Sequence, residues 1–514
     1  MCSTSLKDVF ENSFTRWSER PAITFFRHGD RETVLTYGQL DRDVNQFAHT
    51  FHELGVGKGA RVIFYIEKSL LAVVAHIALQ KLGAVAVPLN PGFKRAEMEY
   101  LLNDADAALV LTESDKEGLI AEINPHQKIL TVSTQNPYQA LEFFRSAPLS
   151  SPEVDIQSED PGLIIYTSGT TGKPKGAILT QQNLIHDAKN IINIWDISAN
   201  DVLCHTLPLF HIHGLCFALH TALVTGAHTL MLDQFDPSTV LQILSRKSAD
   251  HTCTMFMAVP TMYSKIMDDL DEGGLNVSHL RLLTSGSAPL PVREFERIKR
   301  IFGKEPVERE GMSETGMNFS NPIRGERKPG SIGLPLPGLE VRIVDPASLN
   351  DVEPGRTGEI WIKGPGISPG YWRKPEETQE AFVDGWFRTG DLGKVDEVGY
   401  YYITDRIKHI IISGGENVSA KEVETVINTL EGVVESAVVG IPDEKWGEKV
   451  VAAVVIKPEA ELTSEKIQTL CTQKLHKWKC PKKVLFINEI PKNTMGKILK
   501  EEVKKLFFRL TTTD

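Results

Sequence analysis

The chain has 514 residues, 41% apolar and 24% charged; that length exceeds one ordinary core, so two or more domains of soluble globular composition are expected. A formal net charge of -11 argues against a protein that tracks nucleic-acid phosphates, which carries a basic face. Cysteines at 2, 204, 216, 253, 471 and 480 form no CxxC pair, which argues against a disulfide framework or a zinc site and for reduced thiols in the cytoplasm.

Residues 1–11 lack a basic stretch followed by an apolar run, so no secretory signal is expected. Residues 61–66 read as a strand, followed by a helix from Ser69. The most apolar region, residues 70–89, is interrupted by His76, Gln80, Lys81 and Gly83. It predicts a buried helix over 70–82 and a strand over 84–88, not a membrane span. Residues 108–111 and 128–132 predict further strands. Residues 162–166 predict a strand that leads into a glycine-rich turn. This rhythm predicts α/β layers with mostly parallel sheets. Past residue 335 the texture changes: short strands at 340–344, 358–363 and 399–404, separated by Gly, Pro and Asp, predict a small β-barrel-like unit closing the large domain. Beyond Arg406 a separate pattern appears, with helices over 420–430 and 464–475 and strands over 433–441, 449–456 and 483–486, the pattern of a small α+β domain.

The stretch from Tyr166 to Gly176 reads Y-T-S-G-T-T-G-K-P-K-G. Glycines 169, 172 and 176 permit close backbone approach. The hydroxyls of Thr167, Ser168, Thr170 and Thr171, with loop N–H groups, suit phosphate oxygens, and Lys173 and Lys175 supply positive charge. The common G-x-x-x-x-G-K-[ST] pattern is absent. Downstream come Glu310-Gly-Met-Ser-Glu-Thr315, Ser285-Gly-Ser-Ala-Pro-Leu290, Trp386-Phe-Arg-Thr-Gly-Asp391, Asp405-Arg-Ile-Lys-His409, Ser413-Gly-Gly-Glu-Asn417 and Pro491-Lys-Asn-Thr-Met-Gly-Lys497. Alone, each reads as a hydrophilic or charged turn.

Together, over almost the whole chain, these motifs resemble the adenylate-forming superfamily, which includes acyl-CoA synthetases, firefly luciferase and the adenylation domains of peptide synthetases. The middle of the chain is most similar to malonyl-CoA synthetases. The resemblance implies an N-terminal AMP-binding domain over 1–405, a hinge at 406–408 and a mobile C-terminal domain over 409–514. It implies an AMP-forming acid–CoA ligase that uses ATP, Mg²⁺ and coenzyme A. A carboxylate would attack the α-phosphorus of ATP, and the CoA thiolate would then displace AMP.

The same resemblance assigns roles. The 167–173 turn and Lys175 would hold ATP, with Gly169 and Gly172 in the loop. Ser313 and Glu314 would be catalytic, with Glu314 holding Mg²⁺. Ser287, Ala288, Pro289, Glu308, Arg309, Glu310, Gly311 and Met312 would flank the nucleotide. Glu310 stands where the family has a Tyr against adenine. Asp391 would hold the ribose hydroxyls, Arg406 the nucleotide, and Lys408 the hinge. Gly414 and Gly415 would meet CoA. Lys497 would be the lysine of adenylation, bridging acid and α-phosphate.

For the acid, Leu207-Pro-Leu-Phe-His-Ile-His-Gly214 resembles the family's tunnel segment, with His211 as a gating residue. His211 and His213 read equally well as satisfied core histidines. Ser285 and Met317 would line the pocket. A malonate pocket needs a cation for its second carboxylate, and Arg281 matches the position used by malonyl-CoA synthetases. Arg is also common there in enzymes of monocarboxylates, and Gly316 replaces an expected Asn. Medium- or long-chain fatty acids and aromatic acids remain alternatives for the substrate. A luciferase-like or carrier-loading adenylating enzyme and a non-catalytic nucleotide-binding regulator remain alternatives for the activity. Monomer and homodimer are both open.

Overall fold

In a computed structural model of the protein, the structure describes residues 5–167, 173–245, 252–268, 270, 275–413, 416–444, 446–493 and 496–509. The chain divides into two compact units, Met1–Glu340 with Lys363–Phe387, and Val341–Ile362 with Arg388–Asp514.

The strands of the first unit begin with β1 (Pro21–Arg27), β2 (Asp30–Thr36), β3 (Arg61–Tyr65), β4 (Val85–Pro88), β5 (Leu109–Glu113), β6 (Ile129–Val132), β7 (Pro161–Thr167) and β8 (Lys175–Thr180). They continue with β9 (Val202–His205), β10 (His228–Leu232), β11 (Met255–Ala258), β12 (Leu282–Ser285), β13 (Val307–Met312), β14 (Gly316–Ser320) and β15 (Leu334–Pro335). One sheet runs β6-β5-β3-β4-β7-β8, parallel except for the β7–β8 hairpin. The other runs β15-β14-β13-β12-β11-β9-β10-β1-β2, with a parallel middle and antiparallel edges. Parallel strands covered on both faces need apolar residues at every position. That explains why β3, β5 and β12 are buried almost end to end.

The Leu70–Lys81 helix is buried over all twelve residues. Ser69 caps it, its hydroxyl accepting from the Ala72 N–H, which meets one of the orphan donors of the first turn. The polar residues that interrupt the apolar run are each paired. Gln80 donates to Gly162 O at 2.9 Å. Lys81 donates to Asp41 and Asn45 at 2.6 and 2.7 Å. His76 meets His220 at 2.8 Å. Buried polar groups with partners belong to a protein core. Among the described residues, no helix is long and apolar enough to cross a membrane.

In the second unit β16 (Glu340–Val344) pairs with β17 (Gly358–Lys363). The short β18 (Phe382–Val383) pairs with the first two residues of β19 (Trp386–Val395), all four within the Lys363–Phe387 stretch of the first unit. β17 also pairs with β19, and β19 with β20 (Tyr401–Arg406). The remaining strands are β21 (Ile410–Ser413), β22 (Glu416–Ser419), β23 (Val433–Asp443), β24 (Gly447–Ile456) and β25 (Lys483–Phe486). β23 and β24 form a long hairpin buried on both faces. Val438, Val450, Ala452 and Val454 pack on one side with the Ala420–Ile427 and Ser464–Lys474 helices. Ala437, Val439, Val451 and Ala453 pack on the other with Val503 and Phe507.

Val341–Ile362 group with everything from Arg388 in the second unit. Asp391 and Arg406 are registered partners across the β19–β20 ladder.

Candidate active site

The hydroxyl-rich turn is the tip of the β7–β8 hairpin, with Tyr166 opposite Gly176 and Thr167 opposite Lys175. Ser168, Gly169, Thr170, Thr171 and Gly172 lie outside the described residues. A helix follows only after the return strand, at Gln181. Both arms of the hairpin are tied to the Arg95–Ala105 helix. The Tyr166 hydroxyl donates to Asp104 at 2.7 Å. The Tyr100 hydroxyl lies 2.9 Å from the Pro174 carbonyl oxygen and 3.2 Å from Asp104. Neither Tyr100 nor Asp104 stands out in the sequence, since both sit on an ordinary amphipathic helix.

The β13–β14 hairpin brings the second motif to the same place. Ser313 lies in its turn, and Glu314 follows, 8% exposed. The Glu314 carboxylate accepts from the Thr167 hydroxyl at 3.4 Å and from the Tyr371 hydroxyl at 3.1 Å. Lys175 lies over the Tyr371 ring at 5.2 Å. Two motifs 147 residues apart therefore share one carboxylate, and Tyr371 joins them without any signal in the sequence. No cluster of three or more His, Cys, Asp or Glu that could hold a metal ion occurs among the described residues. One carboxylate beside phosphate-binding hydroxyls instead fits Mg²⁺, which is held by one or two carboxylates plus substrate phosphates.

Glu310 accepts from the Asn318 amide at 3.1 Å. Glu308 is buried and accepts from the Leu290 N–H at 3.2 Å, which straps the 285–290 turn to β13. That bond leaves Glu308 positioning the turn through its backbone. Gly311 and Met312 end β13, and Ala288 and Pro289 lie in the strapped turn.

The predicted acid pocket divides sharply. Arg281 is committed elsewhere. Its Nε and Nη2 reach the two Asp201 oxygens at 2.6 and 2.7 Å, and Nη1 and Nη2 donate to the carbonyls of Trp195 and Asp196. A guanidinium held in this bidentate fork has four of its five N–H donors engaged by the protein itself. That arrangement weighs against the expected role of Arg281 toward the acid. Arg309, predicted on the nucleotide side, supplies a different cation. It is 3% exposed, and its Nε and Nη2 have no hydrogen-bond partner. Its guanidinium lies 4.9 Å from the Phe217 ring centroid. A Cβ on Gly286 would come within 2.6 Å of it, so a larger residue there would push the guanidinium from this position. Burial pushes the Arg309 pKa down to about 10, against the opposing pull of Glu310 and Asp187, so it stays charged near neutrality.

Around Arg309 stand Ser285, His213, Met317 and Asp187. Ser285 is fully buried, with its hydroxyl unpaired. His213 opens a π-helix, His213–His220, and its Nδ1 meets the Ser287 hydroxyl at 3.1 Å. Its Nε2 and that of His211 are buried without partners, so neither is a satisfied core histidine. Burial lowers the His211 pKa to about 4, and burial with the Arg309 charge lowers that of His213 well below its ordinary value, so both are neutral. Gly214 is needed because a Cβ there would lie 2.1 Å from the Pro208 carbonyl oxygen. Met317 is buried and donates its N–H to Asp187 at 2.9 Å.

The second unit gathers the other motifs. Asp391 is 3% exposed and lies 2.6 Å from the Arg406 Nε. Burial raises its pKa, opposed by Arg406, Lys497 and Lys408. These three cations and one carboxylate, spread over 107 positions of sequence, thus act on one spot. Lys497 sits in a turn closed by Asn493, whose side chain accepts from the Lys497 N–H at 2.9 Å. Lys408 lies in a single 3-10 turn, Ile407–His409. His409 joins the group, its pKa lowered to about 3 by burial and then by Lys500, Lys408, Arg406 and Lys497. Asp405 accepts from the Ser419 hydroxyl at 2.5 Å and from the Lys421 N–H at 3.0 Å, which fixes the start of the Ala420–Ile427 helix. Gly414 and Gly415 lie outside the described residues.

Comparison with known proteins gives a consistent picture. The family model for AMP-binding enzymes matches residues 10–372, and that for the AMP-binding enzyme C-terminal domain matches residues 422–497. A sulfoacetate–CoA ligase from Cupriavidus necator is 34% identical, covering 94% of this chain and 94% of its own length. The mitochondrial malonate–CoA ligase ACSF3 of Bos taurus is 34% identical, covering 94% of this chain and 87% of its own. The crystal structure of ATP-bound MatB from Rhodopseudomonas palustris aligns with a TM-score of 0.91 at 34% identity, covering 98% of this chain and 99% of that one.

Proposed function

The chain belongs to the AMP-binding enzyme family and is an AMP-forming acid–CoA ligase, and from that premise we propose that its acid is a small one carrying a second anionic group, malonate first. Arg309 carries this reading. A buried guanidinium with its Nε and Nη2 unpaired is costly, and a second anion beside it offsets that cost while adding charge-assisted bonds. Sulfoacetate and malonate, named for two of the relatives, share this feature of an anion one carbon from the reacting carboxylate. The neutral His213, Ser285 and Ser287 add polar edges for the acid, and Phe217 a flat wall.

ATP, Mg²⁺ and CoA are the other participants, as in the family. Glu314 would hold Mg²⁺, which supplies charge neutralisation on the phosphate oxygens. Thr167, Lys173 and Lys175, at the two ends of the hydroxyl-rich turn, would bind and orient the triphosphate. Asp391 would accept from the ribose hydroxyls, and Lys497 would stabilise negative charge building between the acid and the α-phosphate. Attack of the carboxylate releases pyrophosphate and leaves acyl-AMP. Attack of the CoA thiolate then releases AMP and gives the thioester. The two steps need different groups around the same carbon, and rotation at Lys408, in its single turn, would exchange them. A reducing compartment such as the cytoplasm is part of this reading, supported by the described cysteines, all buried free thiols.

The test is acid-dependent pyrophosphate release with malonate, sulfoacetate, propionate, octanoate and benzoate. Malonate or sulfoacetate is expected to lead. Arg309→Met should cost the leading dianion about 2–5 kcal/mol in kcat/KM, as expected when a buried charge partner is removed, and leave propionate nearly unchanged. Preference for octanoate or benzoate, or equal losses for malonate and propionate, would overturn the reading.

A further inference from the structure

Asp187 is a carboxylate that no proposed step uses. It lies on the Gln181–Ile194 helix and is 6% exposed. Oδ1 accepts from the Met317 N–H at 2.9 Å. Gly316, in the left-handed region at φ +69°, makes room for it, since a Cβ there would come within 2.8 Å of Oδ1. Any other residue at 316 would press on this carboxylate.

The groups that act on Asp187 come from three directions. Arg309 acts from β13 and favours its ionised form. The π-helix contributes the Cys216 thiol, which burial and Asp187 hold protonated. β14 contributes the Met317 N–H. On the same helix His186 bonds the Asn190 side chain at 3.1 Å and feels Lys189, while the charge that acts on Asp187 is that of Arg309.

We infer that Asp187 is a proton-linked specificity residue: it serves as the counter-charge of Arg309 in the empty pocket and takes up a proton when a second anion occupies that pocket. This rests on the reading of the acid given above. The argument is electrostatic. One buried cation and one buried carboxylate act on each other's charge, and a substrate anion arriving at Arg309 adds a second negative charge to a low-dielectric space. Two like charges sharing such a site push one pKa strongly upward. Burial has already raised Asp187 to about 7, so the further rise falls in the working range of the enzyme. The sign follows from linkage. Below about pH 7 Asp187 is neutral and the anion binds at no extra cost. Above it each bound dianion must draw in a proton, so affinity falls as pH rises. A monocarboxylate places no second charge there and escapes the effect.

The experiment measures KM and kcat for sulfoacetate, malonate and propionate from pH 6.5 to 9, in the full-length protein and in Asp187→Asn. Sulfoacetate is included because its sulfonate does not titrate in that range. The wild type should show KM for the two dianions rising several-fold, by at most about tenfold per pH unit, with kcat and the propionate KM much flatter. Asp187→Asn should flatten the dianion profile and lower its KM at pH 8.5. A profile of unchanged slope in Asp187→Asn, or no slope in the wild type, overturns the inference while leaving Arg309 as the anion site. If the dianions gain nothing over propionate at any pH, the reading of the acid fails first and the inference with it. Should the variant not fold, calorimetry of malonate binding to the wild type with ATP, in two buffers of different ionisation enthalpy at pH 8, decides. Proton uptake supports the inference, and none overturns it.

Discussion

Two arginines separate what a linear sequence can say from what it cannot. Arg281 precedes β12 and Arg309 lies within β13, both strands leading into small-residue or acidic motifs, and charge alone does not rank them. The difference lies in Asp201, eighty residues before Arg281, which takes both arms of its guanidinium. Arg309 has no such partner and is buried against Phe217 and Gly286. Lys497 shows the opposite case. Its motif was legible from the sequence, and the structure adds that its charge acts on Asp391 from 106 residues away. We expect Lys497→Ala to lower acid-dependent ATP–pyrophosphate exchange by at least about 100-fold, the scale of losing one group that stabilises transition-state charge. CoA attack on supplied acyl-AMP should fall far less. Equal loss in both half-reactions would remove Lys497 from the adenylation step. His409, Tyr371 and Asp187 were not legible, because each acquires meaning only from neighbours distant in sequence.

At the scale of elements, period was read well where one rule dominates. The Leu70–Lys81 helix, β16, β17 and β25 lie where the pattern places them. The hydroxyl-rich turn was found by composition, but its setting was not. It is held in an antiparallel hairpin at the edge of a parallel sheet, and a helix-first reading of the sequence after it misses the return strand. The π-helix at His213–His220 has no periodicity of its own to betray it. What fixes the hairpin is the Arg95–Ala105 helix through Tyr100 and Asp104. Asp104→Asn weakens the bond from Tyr166 by removing the charge that strengthens it, a loss of about 1–2 kcal/mol. The KM for ATP should rise several-fold while the KM for the acid holds in steady-state assays. An unchanged ATP KM would show that the hairpin needs no such anchor.

For the whole molecule, the fold class followed from alternation of strand and helix, and the bulk composition correctly pointed to more than one unit. What the sequence does not show is that a sheet ladder, β19–β20, runs up to the point where the motif spacing changes. Texture marks where sequence style shifts, whereas backbone pairing decides what stays together. Arg309 carries a last consequence at this scale. A charged group sealed inside the first unit with two donors unused weighs against folding. The protein thus holds its native state below the stability its frame allows, a trade of robustness for discrimination. Arg309→Met should therefore melt at a higher temperature than the parent in the absence of substrates at about pH 6, where Asp187 is protonated and loses no partner, and a lower melting point there would mean that the guanidinium is welcome where it lies.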